Sequence, residues 1–405
     1  MGALSHIRVL DLSRVLAGPW CTQILADLGA DVIKIERPGS GDDTRQWGPP
    51  FVSVDGGGNE ESLYFLATNR GKRSMTLDLS DSRGQKVVHE LAAHCDVVVE
   101  NFKVGALARY GLDYETLKGI NPSLVYCSIT GFGQTGPYAD RAGYDFMIQA
   151  MGGLMSVTGE AEDVAGTNPQ KVGVAIADLV TGLYSANAIQ TALIHRERTG
   201  QGQYIDMALL DCQVAILANQ AMTYLAAGQT PVRMGNAHPN IVPYQVFETQ
   251  DGHIILAIGN DGQFRRFCEL ADQPHLAQDP RFVANRGRVK HRAQLIEALA
   301  LLLKNKNTGD WLNLLEPEGI PCGRINSIDE TLNDPQVIHR QMRTQAMHSS
   351  LGEVNLLGSP LKLSETPGEV RRAPPVLGED TDQVLREVLG YEDSAIRGLH
   401  ADGVV

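Results

Sequence analysis

The sequence has few of the features that mark secreted, membrane and nucleic-acid-binding proteins. Its N-terminus, MGALSHIRVLDLS, lacks the basic start and apolar core of a signal peptide, and no apolar run is long enough to cross a membrane. Acidic residues outnumber basic residues by 48 to 35, and no run of lysine or arginine offsets the net charge of -13. Because nucleic-acid binding depends on phosphate neutralisation, we predict a protein that binds neither nucleic acid nor membrane. We expect it in the cytoplasm, or in an organelle matrix after processing.

Cysteine is sparse and has no metal-binding spacing. The six cysteines are scattered without a CxxC pair, and several lie in apolar stretches. We interpret them as reduced and mostly buried, which argues against a disulfide framework and against a zinc site. The chain also lacks a Walker A sequence and a GxSxG nucleophile elbow. The sequence therefore predicts no metal, no ATP-driven ligation and no serine hydrolase of that type.

What the sequence does contain is the alternating pattern of an α/β protein. Its 405 residues are 43% hydrophobic and 20% charged, which is enough to bury one large or two medium cores. Short β-rich runs alternate with helical runs, as in a parallel sheet covered by helices. The predicted strands are residues 7–13, 30–36, 73–79, 96–101, 124–130 and 203–209, and the predicted helices are residues 19–29, 81–95 and 174–200. We expect a doubly wound α/β fold, followed by a smaller domain around DGHIILAIG and RAQLIEALALLLK.

A glycine motif follows one of the predicted strands. Residues 131–136 match GxGxxG directly after the strand LVYCSIT. A dinucleotide-binding loop needs an immediate helix at this point, but Pro137, Tyr138 and a polar loop follow instead. We therefore favour a tight glycine loop that lines a ligand cavity.

Asp178 is the most unusual acidic residue in the sequence. It lies in the run GVAIADLVTGLY, where an unpaired carboxylate is costly to bury. Composition alone favours a helix cap or a salt-bridged core residue. The alternative hypothesis is a desolvated carboxylate nucleophile that attacks a thioester carbonyl.

Two arginines stand close to strand exits. Arg37 follows the strand VIKIE, and Arg109 lies in the loop after DVVVENF. An ordinary surface charge is the usual interpretation of each. The alternative is that the two guanidinium groups hold the phosphates of a ligand at the edge of the sheet.

Longer segments carry a more specific signal. They are VLDLSRVLAGPWCTQILADLGADVIKIERPGSGD, NRGKRSMTLDL, VVVENFKVGALARYGLDYETL, SITGFGQTGPYADRAGYD and GVAIADLVTGLYSANAI. Together they resemble the class III CoA-transferases, the family of the formyl-CoA:oxalate and carnitine CoA-transferases, and the resemblance runs essentially end to end. Within that family, the chain looks most like members that act on succinyl-CoA and glutarate, through GDDTRQWGPPF, AHPNIVPYQVFETQDG and YEDSAIRGLHADGVV.

The resemblance implies a fold, an assembly and a reaction. It implies a Rossmann-like large domain from residues 1–215 and 325–405, a small α/β domain with linkers from residues 216–324, and an interlocked homodimer. The implied reaction moves CoA from an acyl-CoA to a dicarboxylic acid without a prosthetic group. Malate, mesaconate and oxalate stay open as acceptors. A 2-methylacyl-CoA racemase also stays open, although no histidine directly precedes the helix of Asp178 to complete an acid/base pair.

The resemblance also assigns residues. Asp178 becomes the catalytic aspartate, which carries the acyl group and then CoA covalently. The implied CoA contacts are Leu16, Ala17, Arg37, Leu77, Asp78, Leu79, Ser80, Asn101, Phe102, Lys103 and Arg109, and the candidate substrate contacts are Gly131, Gly133, His238 and Asn240. Two positions depart from the family. Thr130 stands where some members have lysine, and GNAHPNIVPY replaces a glycine-rich loop, which predicts a different acceptor.

Overall fold

The computed structural model describes residues 2–53 and 60–405. In these ranges the strands are β1 (Arg8–Asp11), β2 (Asp31–Glu36), β3 (Phe51–Val52), β4 (Glu61–Ser62), β5 (Lys72–Thr76), β6 (Val97–Glu100), β7 (Val125–Thr130), β8 (Tyr204–Ala208), β9 (Tyr244–Glu248), β10 (His253–Ala257), β11 (Cys322–Gly323), β12 (Arg343–His348) and β13 (Gly352–Leu357). The helices are α1 (Ala17–Asp27), α2 (Leu63–Thr68), α3 (Ser82–His94), α4 (Tyr114–Ile120), α5 (Asp145–Met151), α6 (Leu154–Val157), α7 (Ile176–Thr199), α8 (Leu209–Ala215), α9 (Ala218–Ala227), α10 (Asp261–Leu270), α11 (Pro274–Gln278), α12 (Asn285–Lys290), α13 (Arg292–Leu303), α14 (Thr308–Leu315), α15 (Ile328–Leu332), α16 (Pro335–His339), α17 (Thr381–Glu387) and α18 (Asp393–Ala401). Short 3₁₀ helices span Asp43–Gln46, Ala108–Tyr110 and Glu316–Glu318.

The main sheet has six parallel strands in the order β5-β2-β1-β6-β7-β8. Val9 of β1 lies opposite Val32 of β2 on one side and Val97 of β6 on the other. The central strands read as near-continuous apolar runs because helices cover both faces of a parallel sheet. The predicted parallel α/β sheet is confirmed. Five of its strands lie within segments predicted from the sequence, and β5 begins one residue before its predicted segment, at Lys72.

Alternate residues of each strand pack into two cores on opposite faces of the sheet. Leu10 and Val98 pack on one face with Leu91 of α3. Val9 and Val97 pack on the other face, in the core that includes residues of α1 and α7. The two-residue period of the strands therefore fixes which helices cover each face.

Helix α1 begins earlier than the sequence predicts. The predicted start at Pro19 is wrong by two residues, since α1 starts at Ala17. Pro19 is tolerated inside the first turn because its missing N–H has no acceptor there in any case. Gly29, with a φ of 104°, follows the helix in the left-handed conformation that glycine adopts easily.

One edge of the main sheet collects the loops that matter for function. Strands β1, β2, β5, β6 and β7 end at Asp11, Glu36, Thr76, Glu100 and Thr130. Because parallel strands have their carboxyl ends at the same edge, the loops that follow these residues lie side by side. The predicted CoA contacts all lie in these loops or at the start of α1.

The described chain forms two compact units. The first contains the described residues within Met1–Leu154, together with Val172–Leu225 and Pro335–Val405, and the second contains Met155–Lys171 and Ala226–Asp334. In the second unit, the antiparallel sheet β11-β10-β9 packs on a core that includes Phe264, Phe267 and Trp311. The predicted domain division at residues 216 and 325 stays a prediction.

All six cysteines are free, and five of them are buried. In the part of the chain that the structure describes, no helix is both long enough and apolar enough to span a lipid bilayer.

Candidate active site

A cavity of about 580 Å³ opens at the carboxyl edge of the main sheet, within the first unit. Its walls come from the loops after β1, β6 and β7 and from the first turn of α7. The predicted site residues that line it are Leu16, Ala17, Asn101, Phe102, Lys103, Gly131 and Asp178. The structure therefore brings the predicted nucleophile together with part of the predicted CoA site.

A second cavity, of about 260 Å³, adjoins the first. It is lined by the remaining predicted CoA contacts, which are Arg37, Leu77, Asp78, Leu79, Ser80 and Arg109. Arg14, Asp43 and Phe102 line both cavities, so the two form one continuous region along the sheet edge. An elongated ligand with a charged end fits this arrangement, since Arg37 and Arg109 line the second cavity and not the cavity that contains Asp178.

Asp178 lies in the first turn of α7 and is partly buried. Burial, followed by the nearby charge of Asp145, raises the pKa of Asp178 to about 7. The ordinary pKa of an aspartate is 3.8. A carboxylate held in this way is poorly solvated, which favours its reaction as a nucleophile. The helix-cap and salt-bridge interpretations do not fit, because neither a capping bond nor an ion pair of Asp178 is found in the described residues.

Asp145 supports the start of α7 from a neighbouring helix. Its Oδ1 accepts a hydrogen bond from the N–H of Ala177 at 2.8 Å, and its Oδ2 accepts one from Gln149 Nε2 at 2.7 Å. Gln149 Oε1 in turn accepts from the N–H of Val172 at 2.9 Å. Because Ala175 at the N-cap provides no side-chain cap, Asp145 satisfies a backbone donor that the sequence of α7 leaves open.

Close packing of two helices fixes the backbone around Asp178. Gly182, one turn after Asp178 in α7, faces the start of α1. A Cβ at Gly182 would lie 2.8 Å from the carbonyl oxygen of Ala17 and 2.9 Å from Trp20 Cδ1. A side chain does not fit there without movement, so glycine at 182 allows Ala17 and Asp178 to share one cavity.

The glycine loop forms part of the cavity wall through a contact between two backbones. A Cβ on Gly131 would lie 2.5 Å from the Cα of Gly143. Gly131 lines the cavity, whereas Gly133 is absent from the described lining residues. Gly133 has a φ of 86°, and its N–H donates to Thr130 Oγ1 at 3.0 Å. Thr130 therefore shapes the loop, and the role of Gly133 in substrate binding stays a prediction.

A buried glutamate lies beneath two of these loops. Glu100 Oε2 accepts a hydrogen bond from the N–H of Phe102 at 2.7 Å, and its Oε1 accepts from the hydroxyl of Ser128. Burial raises the pKa of Glu100 to about 8 even though the Phe102 bond lowers it. Glu100 thus links the Asn101–Lys103 segment to strand β7 from inside the protein.

His238 and Asn240 lie in the second unit, within a loop that is held by local contacts. His238 Nδ1 accepts the N–H of Asn240 at 3.1 Å, and the His238 ring packs on Tyr244 with centroids 5.3 Å apart. Arg292 donates to the carbonyl of His238 at 2.7 Å, and Asn285 donates to the carbonyl of Asn240 at 2.8 Å. These bonds give the loop a defined shape, and its contact with substrate stays a prediction.

Several residues that sequence reasoning did not assign also belong to the site. The cavity with Asp178 is additionally lined by Arg14, Val15, Asp43, Trp47, Val104, Ile129, Thr130, Ala139, Asp140, Arg141, Ala142, Gly143, Tyr144 and Leu209. Tyr64, which packs edge-on against Trp47, has its pKa raised to about 12 by burial and by the charges of Asp178 and Asp145. Several of these additional lining residues lie inside the segments that carried the family resemblance. Only the folded structure brings them together in one cavity.

No group of three or more histidine, cysteine, aspartate or glutamate side chains suited to a metal ion is found across residues 2–53 and 60–405.

Comparison with known proteins gives a consistent result. A family model described as CoA-transferase family III matches residues 4–381. A succinate--glutarate CoA-transferase from Agrobacterium fabrum is 52% identical over 97% of this chain and 97% of its own. A succinyl-CoA:glutarate CoA-transferase from Homo sapiens is 44% identical over 99% of this chain and 90% of its own. The crystal structure of a CAIB/BAIF family protein from Brucella suis, at 51% identity, matches with a TM-score of 0.85 over 96% of this chain and 99% of that chain.

The family model and the full-length relatives match the segments that form the cavity around Asp178. The predicted resemblance is confirmed: this chain is an enzyme that belongs to CoA-transferase family III.

Proposed function

We propose that this enzyme transfers CoA from succinyl-CoA to glutarate through a covalent intermediate on Asp178. The observation that carries the proposal is the position of a poorly solvated carboxylate, with a pKa of about 7, in the cavity that also contains Leu16, Ala17 and the Asn101–Lys103 segment. The named activities of the two relatives support the choice of succinyl-CoA and glutarate.

The first half of the reaction breaks the donor thioester. The Asp178 carboxylate attacks the thioester carbonyl of succinyl-CoA, forms a mixed anhydride and releases CoA thiolate. The thiolate then attacks the aspartyl carbonyl of the anhydride, which leaves an aspartyl-CoA thioester and free succinate. The oxygen that bridged the anhydride departs with succinate.

The second half repeats these steps in reverse with the acceptor. A glutarate carboxylate attacks the aspartyl-CoA thioester, forms a new anhydride and releases the thiolate. The thiolate attacks the glutaryl carbonyl, which yields glutaryl-CoA and regenerates Asp178 with one oxygen from glutarate. One activated bond replaces another throughout, so the reaction needs neither ATP nor a prosthetic group.

Two features of the cavity support stabilisation of the oxyanions. Leu16 and Ala17 line the cavity at the N-terminus of α1, which has no side-chain cap. The N–H groups of a first helical turn have no partner within the helix, and together with the positive end of the helix dipole they favour negative charge at this point. Gly131, from the glycine loop, also lines this cavity, and its backbone is the second feature.

The alternatives from the sequence differ in acceptor or in reaction type. Malate, mesaconate and oxalate stay open as acceptors. The residues that we expect to contact the acceptor acid, His238 and Asn240, are still predictions. Racemisation of a 2-methylacyl-CoA ester requires an acid/base pair at the α-carbon, usually with histidine. Among the described residues that line the two cavities there is no histidine, which weighs against this alternative.

The proposal extends to the assembly and to the large domain. Exposed apolar side chains on α7 and α9, such as Leu183, Ile194, Met222 and Leu225, support association with a second chain. We propose that this association is the interlocked homodimer that the resemblance implies. Counted within the main sheet, the strand order is 3-2-1-4-5-6, which supports a Rossmann-like large domain. The cytoplasmic location stays a prediction.

Mass spectrometry of the purified enzyme after incubation with succinyl-CoA tests the proposal. We expect a CoA adduct on the peptide that contains Asp178, and its conversion to a hydroxamate by hydroxylamine. Asp178→Ala loses both products. Asp211→Asn is the matched control, because Asp211 is an exposed carboxylate in the first turn of α8 and lies outside both cavities.

Acceptor acids are then compared by the rate at which each removes the adduct. The proposal predicts that glutarate reacts fastest. An adduct that reacts faster with oxalate or mesaconate would reassign the acceptor. No adduct, with exchange of the α-proton of a branched acyl-CoA in deuterated water, would replace the transferase proposal with a racemase.

A further inference from the structure

Val15, in the cavity wall, has an unusual backbone conformation. Its φ is 71°, in the left-handed region that glycine adopts easily and β-branched residues rarely adopt. Val15 directly precedes Leu16 and Ala17, and all three line the cavity with Asp178. The conformation of one residue therefore sets the direction in which the chain enters the start of α1.

A buried carboxylate holds this conformation. The N–H of Val15 donates to both oxygens of Asp42, at 3.2 Å to each. Asp42 is in turn fixed by the N–H and the hydroxyl of Thr44, at 3.0 and 2.8 Å. Strained backbone persists only where surrounding groups over-determine it, and Asp42 supplies those bonds here.

A buried lysine completes the arrangement. Lys34 Nζ donates to Asp42 Oδ2 at 2.9 Å and to the carbonyl of Ser13 at 2.8 Å, and both charged side chains are fully buried. Lys34 therefore holds the segment on the N-terminal side of Val15, while Asp42 holds Val15 itself. Burial of an ion pair is costly and is a weak source of stability, so the presence of this pair calls for another explanation.

We propose that Asp42 is a positioning residue, which holds Val15 in the left-handed conformation and so fixes Leu16 and Ala17 in the wall of the cavity used by CoA and Asp178. The inference rests on the proposed function and adds a residue that shapes the site without touching the reacting atoms. Lys34 keeps Asp42 ionised and in place.

Asp42→Asn tests this role with little change in shape. The amide has one acceptor oxygen, so the N–H of Val15 loses one of its two acceptors, and the NH₂ group would face either the ammonium of Lys34 or the N–H of Thr44 as a second donor. Val15 then keeps at most one of its two bonds to residue 42, and we expect the segment to relax to a negative φ. We expect the rate of adduct formation on Asp178 to fall roughly tenfold, the size of the penalty for a left-handed residue with a side chain.

Val15→Gly provides the rescue. Glycine adopts a positive φ without a side-chain penalty, so the double variant with Asp42→Asn should regain most of the lost rate and of the lost affinity for CoA. Val15→Pro forces a negative φ while it leaves the buried ion pair intact. We expect Val15→Pro to lose both properties, and it serves as the test if Asp42→Asn fails to fold.

Asp27→Asn is the matched control for a loss of stability alone. Asp27 pairs with Arg70 at 2.6 Å, both side chains are nearly buried, and the pair lies at the other end of α1. Asp27→Asn should lower the melting temperature but leave the rate of adduct formation per folded molecule unchanged. Adding Val15→Gly to Asp27→Asn should not restore the melting temperature.

The inference is overturned if Asp42→Asn keeps full rate and CoA affinity, or if the double variant with Val15→Gly is no better than Asp42→Asn. CoA affinity is measured by calorimetry and does not depend on the covalent step. If the unmodified enzyme binds CoA but forms no adduct, the proposed function fails, and the pattern of CoA affinities still decides the role of Asp42.

Discussion

The carboxylate of Asp145 accepts the backbone N–H of Ala177 at 2.8 Å, and its charge raises the pKa of the adjacent Asp178. A single residue thus completes the start of α7 and makes the nucleophile harder to ionise. Asparagine keeps an acceptor oxygen for the N–H of Ala177 and removes the charge, although its NH₂ group replaces the oxygen that accepts from Gln149. The two effects of Asp145 are therefore separable by mutation.

We expect Asp145→Asn to move the pH profile of adduct formation to lower pH. Asp178 must be ionised to attack, so in the unmodified enzyme the rate should rise through about pH 7. Removal of the neighbouring negative charge lowers the pKa of Asp178 and shifts this rise toward acid. Pre-steady-state rates from pH 5 to 9 measure the effect. An unchanged profile would show that Asp145 acts on α7 alone.

Asp178→Asn should stabilise the folded protein, and more so at alkaline pH. The pKa of Asp178 is raised from 3.8 to about 7 in the folded state, so its contribution to stability is present below pH 3.8 and is lost as pH rises through 7. Asparagine removes this loss, with a gain of up to about 4 kcal/mol at pH 8 and less at pH 5. Denaturant unfolding of both proteins at pH 5 and at pH 8 measures this gain in the free energy of unfolding. Asp211→Asn, which changes an exposed carboxylate in the first turn of α8, is the control for the loss of a negative charge. A gain for Asp178→Asn that does not increase from pH 5 to pH 8 would refute the account.

Gly182→Ala should disturb both packing and reactivity. The added Cβ would lie 2.8 Å from the carbonyl oxygen of Ala17, so α1 and α7 must separate at the cavity wall. We expect a loss of about 1–3 kcal/mol in the free energy of unfolding and a slower attack by Asp178. Gly119 of α4 has nothing within 4 Å of an added Cβ and provides the control. Equal effects of the two substitutions would exclude the packing explanation.

Arg37 and Arg109 are expected to bind the phosphates of CoA in the second cavity. Charge-assisted hydrogen bonds contribute about 1.5–3 kcal/mol, so each change to glutamine should weaken CoA binding roughly tenfold or more. Dephospho-CoA should show a smaller loss for whichever arginine contacts the 3′-phosphate. Arg281→Gln is the control, since Arg281 pairs with Asp279 outside both cavities. Affinities unaffected by Arg37→Gln and Arg109→Gln would move the phosphates elsewhere.

The sequence predicts the parallel sheet well because its strands are buried on both faces, so runs such as VVVE in β6 leave little ambiguity. The carboxyl ends of the predicted strands also indicate which loops lie side by side at one edge of the sheet. The resemblance assigned the CoA contacts within those loops. Asp145 and Asp42 were missed for a physical reason. Each acts on a backbone N–H distant in sequence, 32 residues away for Asp145 and 27 for Asp42, and only tertiary structure creates such contacts.

The start of α1 shows a second limit of sequence reasoning. Proline at 19 predicts the first helical residue, because proline is common there. The left-handed Val15 and the close contact at Gly182 instead allow the helix to begin at Ala17. A pattern of apolar and polar residues predicts neither the left-handed conformation of Val15 nor the close contact at Gly182.

The most direct test of the covalent role of Asp178 follows an oxygen atom. The enzyme is incubated with succinyl-CoA and glutarate labelled with oxygen-18 in both carboxylates, and the peptide that contains Asp178 is weighed after turnover. The account predicts that one labelled oxygen appears in Asp178 and, after a further turnover, in succinate. Label in succinate with none in Asp178 would mean that glutarate attacks succinyl-CoA directly, and it would contradict the account.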